Sequence, residues 1–224
     1  IHMISAIMPP DTGDIQIAGI DVYKHQQQVK MHMGVVPQEI ALYDELSAFD
    51  NLLFWGSLYG ITGADAKKQA NYLLEWVGLA DRKNDAVKTY SGGMKRRVNI
   101  ASALMHNPGL IVMDEPTVGI DPQSRNKIYE LLDEMHTGGK TILYTTHYME
   151  EAEKMCDKIG VIDSGRIIAE GSLNELKTNY SLDDSIVITY TGNSDGIIPG
   201  YATHIKSSGL EAIFLHLTGR QLRD

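Results

Sequence analysis

Five groups of residues in this chain are suited to handling phosphate, a divalent cation and water. In order they are Gln38, Ser91-Gly92-Gly93, Asp114-Glu115, Asp121 and His147. Asp114-Glu115 is the most telling. It ends the aliphatic run Leu110-Ile111-Val112-Met113, and a buried strand has no structural need to finish in two acids, because unpaired buried charge is costly. Side chains alternate along a strand, so one carboxylate can serve Mg²⁺ while the other addresses a water. Ser91-Gly92-Gly93 opens a helix, where free N–H groups and the helix dipole attract phosphate. Alone it reads equally well as an ordinary N-cap with a flexible lead-in. His147 and Gln38 each follow an apolar strand, where open α/β sheets place ligands, yet either could be a simple strand-end hydrogen-bonder. Asp121 before Pro122 is a good helix cap in its own right. Lys95-Arg96-Arg97 reads as a solvated basic turn. The joint occurrence of these groups, in this order, carries the functional reading.

The elements that must position them follow from periodicity. Ile15 to Gly19 reads as a half-buried strand, and Gly34-Val35-Val36 as a short buried one ending at Pro37-Gln38. A helix is expected from Ser47, its N-cap, to about Tyr59, with Phe49, Leu52, Leu53 and Leu58 on or near one face. A second runs from about Asp65 to Val77 and stops at Gly78. The helix opened by Ser91 carries Val98, Ala101 and Leu104 at helical spacing. Leu110 to Met113 is a central strand, and the helix after Asp121-Pro122 carries Ile128, Leu131, Leu132 and Met135. Thr141 to Thr145 is a strand, Tyr148 to Met155 a helix, and Asp163-Ser164-Gly165 the turn of a hairpin. Strands alternating with helices imply a mainly parallel α/β sheet, with the helical stretch from about 40 to 107 inserted between two core strands. Beyond Asn179 the pattern weakens into a small tail module.

Composition bounds what such a molecule does. The 224 residues suffice for one domain or a two-lobed one. A formal charge of −9 argues against a general nucleic-acid binder, but leaves room for a local phosphate site built from backbone N–H groups. The lone Cys156 forms no intrachain disulfide and suits a reducing compartment. No apolar run approaches the about 20 residues that span a bilayer, and the start does not resemble a signal peptide. Gly138-Gly139-Lys140-Thr141 imitates the end of a phosphate-binding G-x-x-x-x-G-K-[ST] loop, but the upstream glycine position holds Glu134 and the segment precedes a strand. It is a helix-to-strand turn. No true loop of that pattern occurs in these residues, and the chain begins at Ile1, so a fragment is expected.

Taken together, the motifs resemble those of ATP-binding cassette (ABC) transporter ATPases over about residues 1–180. Tyr90-Ser91-Gly92-Gly93-Met94 resembles the family signature, with Tyr and Met where Leu and Gln are commoner. Leu110 to Glu115 resembles the Walker B strand, Gly119-Ile120-Asp121 the D-loop, His147 the switch histidine and Gln38 the Q-loop glutamine. Ser91-Gly-Gly-Met-Lys-Arg-Arg, with the ending Phe214-Leu215-His216-Leu217-Thr218-Gly219-Arg220, further resembles the daunorubicin-resistance (ABC-2) exporter type.

The resemblance implies a P-loop NTPase-like core over 1–39 and 108–180, a helical signature subdomain over 40–107 and a C-terminal extension over 181–224. Ile1-His2-Met3-Ile4 resembles the helix that follows the Walker A loop, so the N-terminal strands and that loop are expected to be missing and the fragment inactive alone. It also implies ATP and Mg²⁺ as cofactors, with Asp114 and Gln38 at the metal, Glu115 polarising the attacking water and His147 steadying the γ-phosphate. Ser91, Gly92 and Gly93, with Asp121 nearby, would serve the nucleotide of a second ATPase subunit. Implied partners are that subunit (as homodimer or heterodimer) and a transmembrane permease, at the cytoplasmic face of the cell membrane. Nucleic acid is not among them. A non-hydrolysing regulatory or assembly module of the same fold is the rival reading. Chromosome-repair and translation-type ABC ATPases fit less well, since neither sustained heptads nor a second cassette is present.

Overall fold

The structure, a computed structural model, describes residues 1–180, 185–189, 202–206 and 209–218. The described chain forms two compact units, 1–145 and 146–224. Gly219 and Arg220 of the exporter-like ending lie outside the described residues.

The first unit is organised by a three-stranded parallel sheet of β3 (Met33–Val36), β4 (Leu110–Asp114) and β5 (Thr141–Thr145), in that order. Val35 pairs with Val112 and Val112 with Leu143. Ile111, Val112 and Met113 are fully buried, as an unbroken aliphatic run in a central parallel strand should be. Ahead of the sheet, β1 (Gln16–Ile17) and β2 (Ile20–Asp21) form a small antiparallel hairpin. The single strand expected over Ile15–Gly19 is therefore half of a ribbon. Ala18 (φ 51°) and Gly19 (φ 76°) take the left-handed conformation that reverses the chain in two residues. α1 (Gln26–His32) follows, with Val29 buried and Met31 exposed among polar residues.

The long β3–β4 connection holds α2 (Ala48–Ser57), α3 (Gly63–Trp76) and α4 (Gly92–Ala103), which pack on one another. Ser47 caps α2 by accepting from the Asp50 N–H at 3.0 Å. Leu58 departs from expectation, being 61% exposed. The helix stops at Ser57 and the chain doubles back, with the Ile61 N–H bonding to the Gly56 carbonyl. α4 is buried almost all round: Val98, Ile100, Ala101 and Leu104 are joined there by Arg96, Asn99 and Ser102. β3 lies hard against its C-terminal end, since a Cβ on Gly34 would stand 2.4 Å from the Ala103 carbonyl oxygen. α5 (Pro122–Thr137) links β4 to β5 and buries Ile128, Leu131, Leu132 and Met135, the i, i+3, i+4, i+7 stripe of an amphipathic helix.

The second unit carries α6 (Met149–Met155), the antiparallel pair β6 (Ile159–Asp163) and β7 (Arg166–Gly171), and α7 (Leu173–Asn179). A second antiparallel pair, β8 (Ser185–Thr189) and β9 (Ala202–Lys206), precedes α8 (Leu210–Thr218). Ile159, Val161, Ala169, Leu176, Leu210 and Ile213 form one core, so α8 belongs with the β6–β7 hairpin. Among the described residues no helix is long and apolar enough to cross a membrane.

Candidate functional site

The parallel register brings the C-terminal ends of β3 and β4 side by side, Val36 opposite Met113. The residues just beyond those ends therefore become neighbours. Gln38 Nε2 donates to Glu115 Oε2 at 2.8 Å. Asp114 faces the other way along the sheet, its Oδ1 accepting from Thr145 Oγ1 of β5 at 2.6 Å. The side chains of the two adjacent acids are thus held on opposite sides of β4. Simple strand alternation does not produce this separation. Glu115 leaves the pleat with φ +43°, a left-handed conformation that costs a residue with a Cβ about 1–3 kcal/mol unless its surroundings hold it there. The Glu115 N–H donates to the Thr145 carbonyl at 3.1 Å and its carbonyl accepts from the Val118 N–H at 3.3 Å.

A third restraint on Glu115 was not foreseen. Arg96 is 2% exposed, the opposite of a solvated basic turn. Its Nη1 donates to the Pro37 carbonyl at 2.6 Å, and Nη2 to the carbonyls of Gln38 at 2.8 Å and Glu115 at 3.2 Å. Burial lowers its pKa from the ordinary guanidinium value. Arg97 is half-buried and donates to the Val77 carbonyl, and Lys95 pairs with Asp44 at 2.7 Å. The signal was present in the spacing. Arg96, Ile100 and Ala103 stand at i, i+4 and i+7, one helical face, and the last two are plainly apolar. A run of three basic residues concealed it.

The glycine turn and Asp121 form a second cluster. Ser91 caps α4, its Oγ accepting from the Met94 N–H at 3.3 Å. Asp121 caps α5, its Oδ1 accepting from the Ser124 N–H at 2.9 Å. That bond, with those from the neighbouring N–H groups, holds its carboxyl below the ordinary carboxylate range. The two caps touch at Gly93: a Cβ there would fall 2.1 Å from Ser124 Oγ and 3.5 Å from Asp121 Oδ2. Only glycine lets these helix starts approach so closely. Gly92 is exposed and adjoins Ile120. His147 belongs to the second unit, two residues after β5 in the chain, exposed and with its ring 4.2 Å from that of Tyr148. Gln38 and Glu115 therefore come together, with Asp114 beside Glu115 in the chain but turned towards Thr145, and Gly93 brings the caps of Ser91 and Asp121 together.

The donor set fits a cation that brings ligands with it. Among the described residues no group of three or more His, Cys, Asp or Glu could enclose a metal alone. Asp114 and Gln38 offer a carboxylate and an amide, and Mg²⁺ commonly takes one or two carboxylates plus substrate phosphates.

Likeness to known proteins agrees with this geometry. The ABC transporter family matches residues 1–118. The chain belongs to that family. The linearmycin resistance ATP-binding protein LnrL of Bacillus subtilis (strain 168) is 41% identical over 268 residues, covering 100% of this chain and 86% of the relative. The daunorubicin resistance ATP-binding protein DrrA3 of Streptomyces coeruleorubidus is 39% identical over 183 residues, covering 82% of this chain and 58% of the relative. A solved ATP-binding subunit of an ABC transporter superposes with a TM-score of 0.76 at 25% identity, over 97% of this chain and 81% of that one. The fold is the ABC ATPase fold, and the chain is an ABC transporter ATP-binding subunit with resistance-type relatives. Membership implies ATP binding, ATPase activity in the intact protein and work alongside transmembrane components.

Proposed function

We propose that this ABC subunit hydrolyses ATP as one of two ATPase copies beneath a transmembrane permease, at the cytoplasmic face of the membrane, in an exporter of the daunorubicin-resistance (ABC-2) type. The observation that carries the reading is the Gln38–Glu115 hydrogen bond at 2.8 Å, beside Asp114, at the C-terminal end of a parallel sheet. Support for the exporter type comes from relatives named for drug resistance.

In this reading Glu115 accepts a proton from the attacking water, and its left-handed backbone aims the carboxylate away from Asp114. Asp114 and the amide oxygen of Gln38 would hold Mg²⁺, which would supply charge neutralisation on the phosphates. His147 steadies the γ-phosphate and the water. Ser91, Gly92 and Gly93 donate to the γ-phosphate held by the other copy: Ser91 Oγ accepts from its own helix and keeps its proton to give. Asp121, packed against Gly93, keeps that turn at the subunit junction. Phosphoryl transfer depends mainly on positioning and charge stabilisation, so dividing these groups between two chains makes hydrolysis contingent on closure. The helical stretch 40–107 meets the permease and transmits that closure, with 1–39 and 108–180 as the ATPase core and 181–224 as an extension.

Replacing Glu115 by Gln in the intact protein is the test. Turnover is expected to fall about 10²–10⁴-fold, the scale of a lost general base, while ATP binding persists. Near-normal steady-state hydrolysis in that variant would remove Glu115 from the role.

A further inference from the structure

We propose that Arg96 is a positioning residue for hydrolysis, holding Gln38 and Glu115 in the register that their side-chain contact requires. The inference rests on the catalytic reading of Glu115 given above. Arg96 touches neither carboxylate; it works through main-chain carbonyls. Its planar guanidinium spans the carbonyls of Pro37 and Gln38 on one side and that of Glu115 on the other, at 2.6, 2.8 and 3.2 Å. Nη2 serves both Gln38 and Glu115. Together with the 2.8 Å bond between the Gln38 and Glu115 side chains, this closes a ring in which Gln38 and Glu115 are each held twice, once by main chain and once by side chain.

Three features argue against a merely structural arginine. Its acceptors come from the two segments that present Gln38 and Glu115, 58 and 19 residues away in sequence. No carboxylate lies within salt-bridge distance of it among the described residues. Its Nε stays buried without a hydrogen-bond partner, so the three carbonyls, with the nearby Asp114 charge, offset only part of the cost of burying the guanidinium. The fork shape matters as well. A lysine ammonium presents a point charge and cannot span both segments with a rigid plane.

Steady-state ATP hydrolysis by the intact protein in its transporter complex tests this, with Arg96→Met, Arg96→Lys, Glu115→Gln and the Arg96→Met/Glu115→Gln double variant compared. Arg96→Met is expected to lower kcat about 10²-fold, the scale of a misplacement of about 1 Å, with KM for ATP changed less than about threefold. Arg96→Lys is expected to recover part of kcat. In the Glu115→Gln background Arg96→Met should cost residual turnover at least about tenfold less than it costs in the wild type, because one of the two groups it positions is already gone. If the Met variant does not fold, the Lys variant and its combination with Glu115→Gln carry the same comparison. An unchanged kcat, a raised KM with kcat intact, or an equal loss in both backgrounds overturns the inference while the role of Glu115 stands. Near-normal turnover by Glu115→Gln overturns both.

Discussion

At the residue scale, the site depends on close approach as much as on charge. Gly93 is where the starts of α4 and α5 meet, and a Cβ there would overlap Ser124 Cβ and Oγ at 2.3 and 2.1 Å. Gly93→Ala must push the glycine turn away from the Asp121 cap, and about 1 Å of displacement suffices for a loss of about 10²-fold in turnover. Ser124→Gly removes both clashing atoms and keeps the capped N–H. The pair Gly93→Ala/Ser124→Gly should therefore hydrolyse ATP much faster than Gly93→Ala alone. Equal rates for the single and the double variant would show that the steric account of Gly93 is mistaken. Much at this scale was legible in the sequence. Aliphatic runs ending in Asp114-Glu115 and in Pro37-Gln38 require those side chains to emerge at strand ends, and adjacent parallel strands make the ends neighbours. Arg96 was legible only through the spacing it shares with Ile100 and Ala103, which a basic triplet conceals because its composition looks solvated. The left-handed backbone of Glu115 has no marker, since its residue type is among those that rarely adopt it.

At the scale of elements, helix starts do much of the positioning, and those of α2, α4, α5 and α7 are written in a short side chain. Ser47, Ser91, Asp121 and Ser172 all accept from the N–H three residues on. α7 has the fuller capping box, in which Ser172 Oγ accepts from the Glu175 N–H while Glu175 Oε2 accepts from the Ser172 N–H at 2.7 Å. Ser172→Ala should destabilise the second unit by about 0.5–2 kcal/mol, read as faster amide exchange in α7, with ATP turnover unaltered. The Ser172 N–H and Oγ hold the Glu175 carboxyl below its ordinary pKa. A depressed carboxyl stabilises the fold above the ordinary carboxylate range, and the stabilisation is lost as pH falls through the lowered value. The difference between wild type and Ser172→Ala should therefore narrow on acidification. A difference independent of pH would deny the capping box its electrostatic part. The strands and helices around these caps could be read from periodicity. The β1–β2 ribbon and α1 could not: Ala18 carries no turn signal, and α1 buries only Val29.

At the scale of the whole molecule, the described chain divides at the end of β5, with Gln38, Ser91, Asp114, Glu115 and Asp121 in one unit and His147 at the start of the other. Within the first unit, the glycine turn and the acidic strand end lie at different places on one framework, linked through α4: Ser91 caps its start and Arg96 reaches from its second turn to Glu115. Such an arrangement makes sense if each copy uses its acids on its own nucleotide and lends its glycine turn to the other's. Two copies of the intact protein, covalently linked and carrying Ser91→Arg and Glu115→Gln, measure this directly. With the two substitutions on different copies, one composite site keeps both an intact Ser91 and an intact Glu115, and the pair should hydrolyse ATP. With both on the same copy, each site carries one lesion and hydrolysis should be abolished. The reverse order, activity when both lesions share a copy and none when they are divided, would mean that each chain completes its own site, contrary to the shared-nucleotide account.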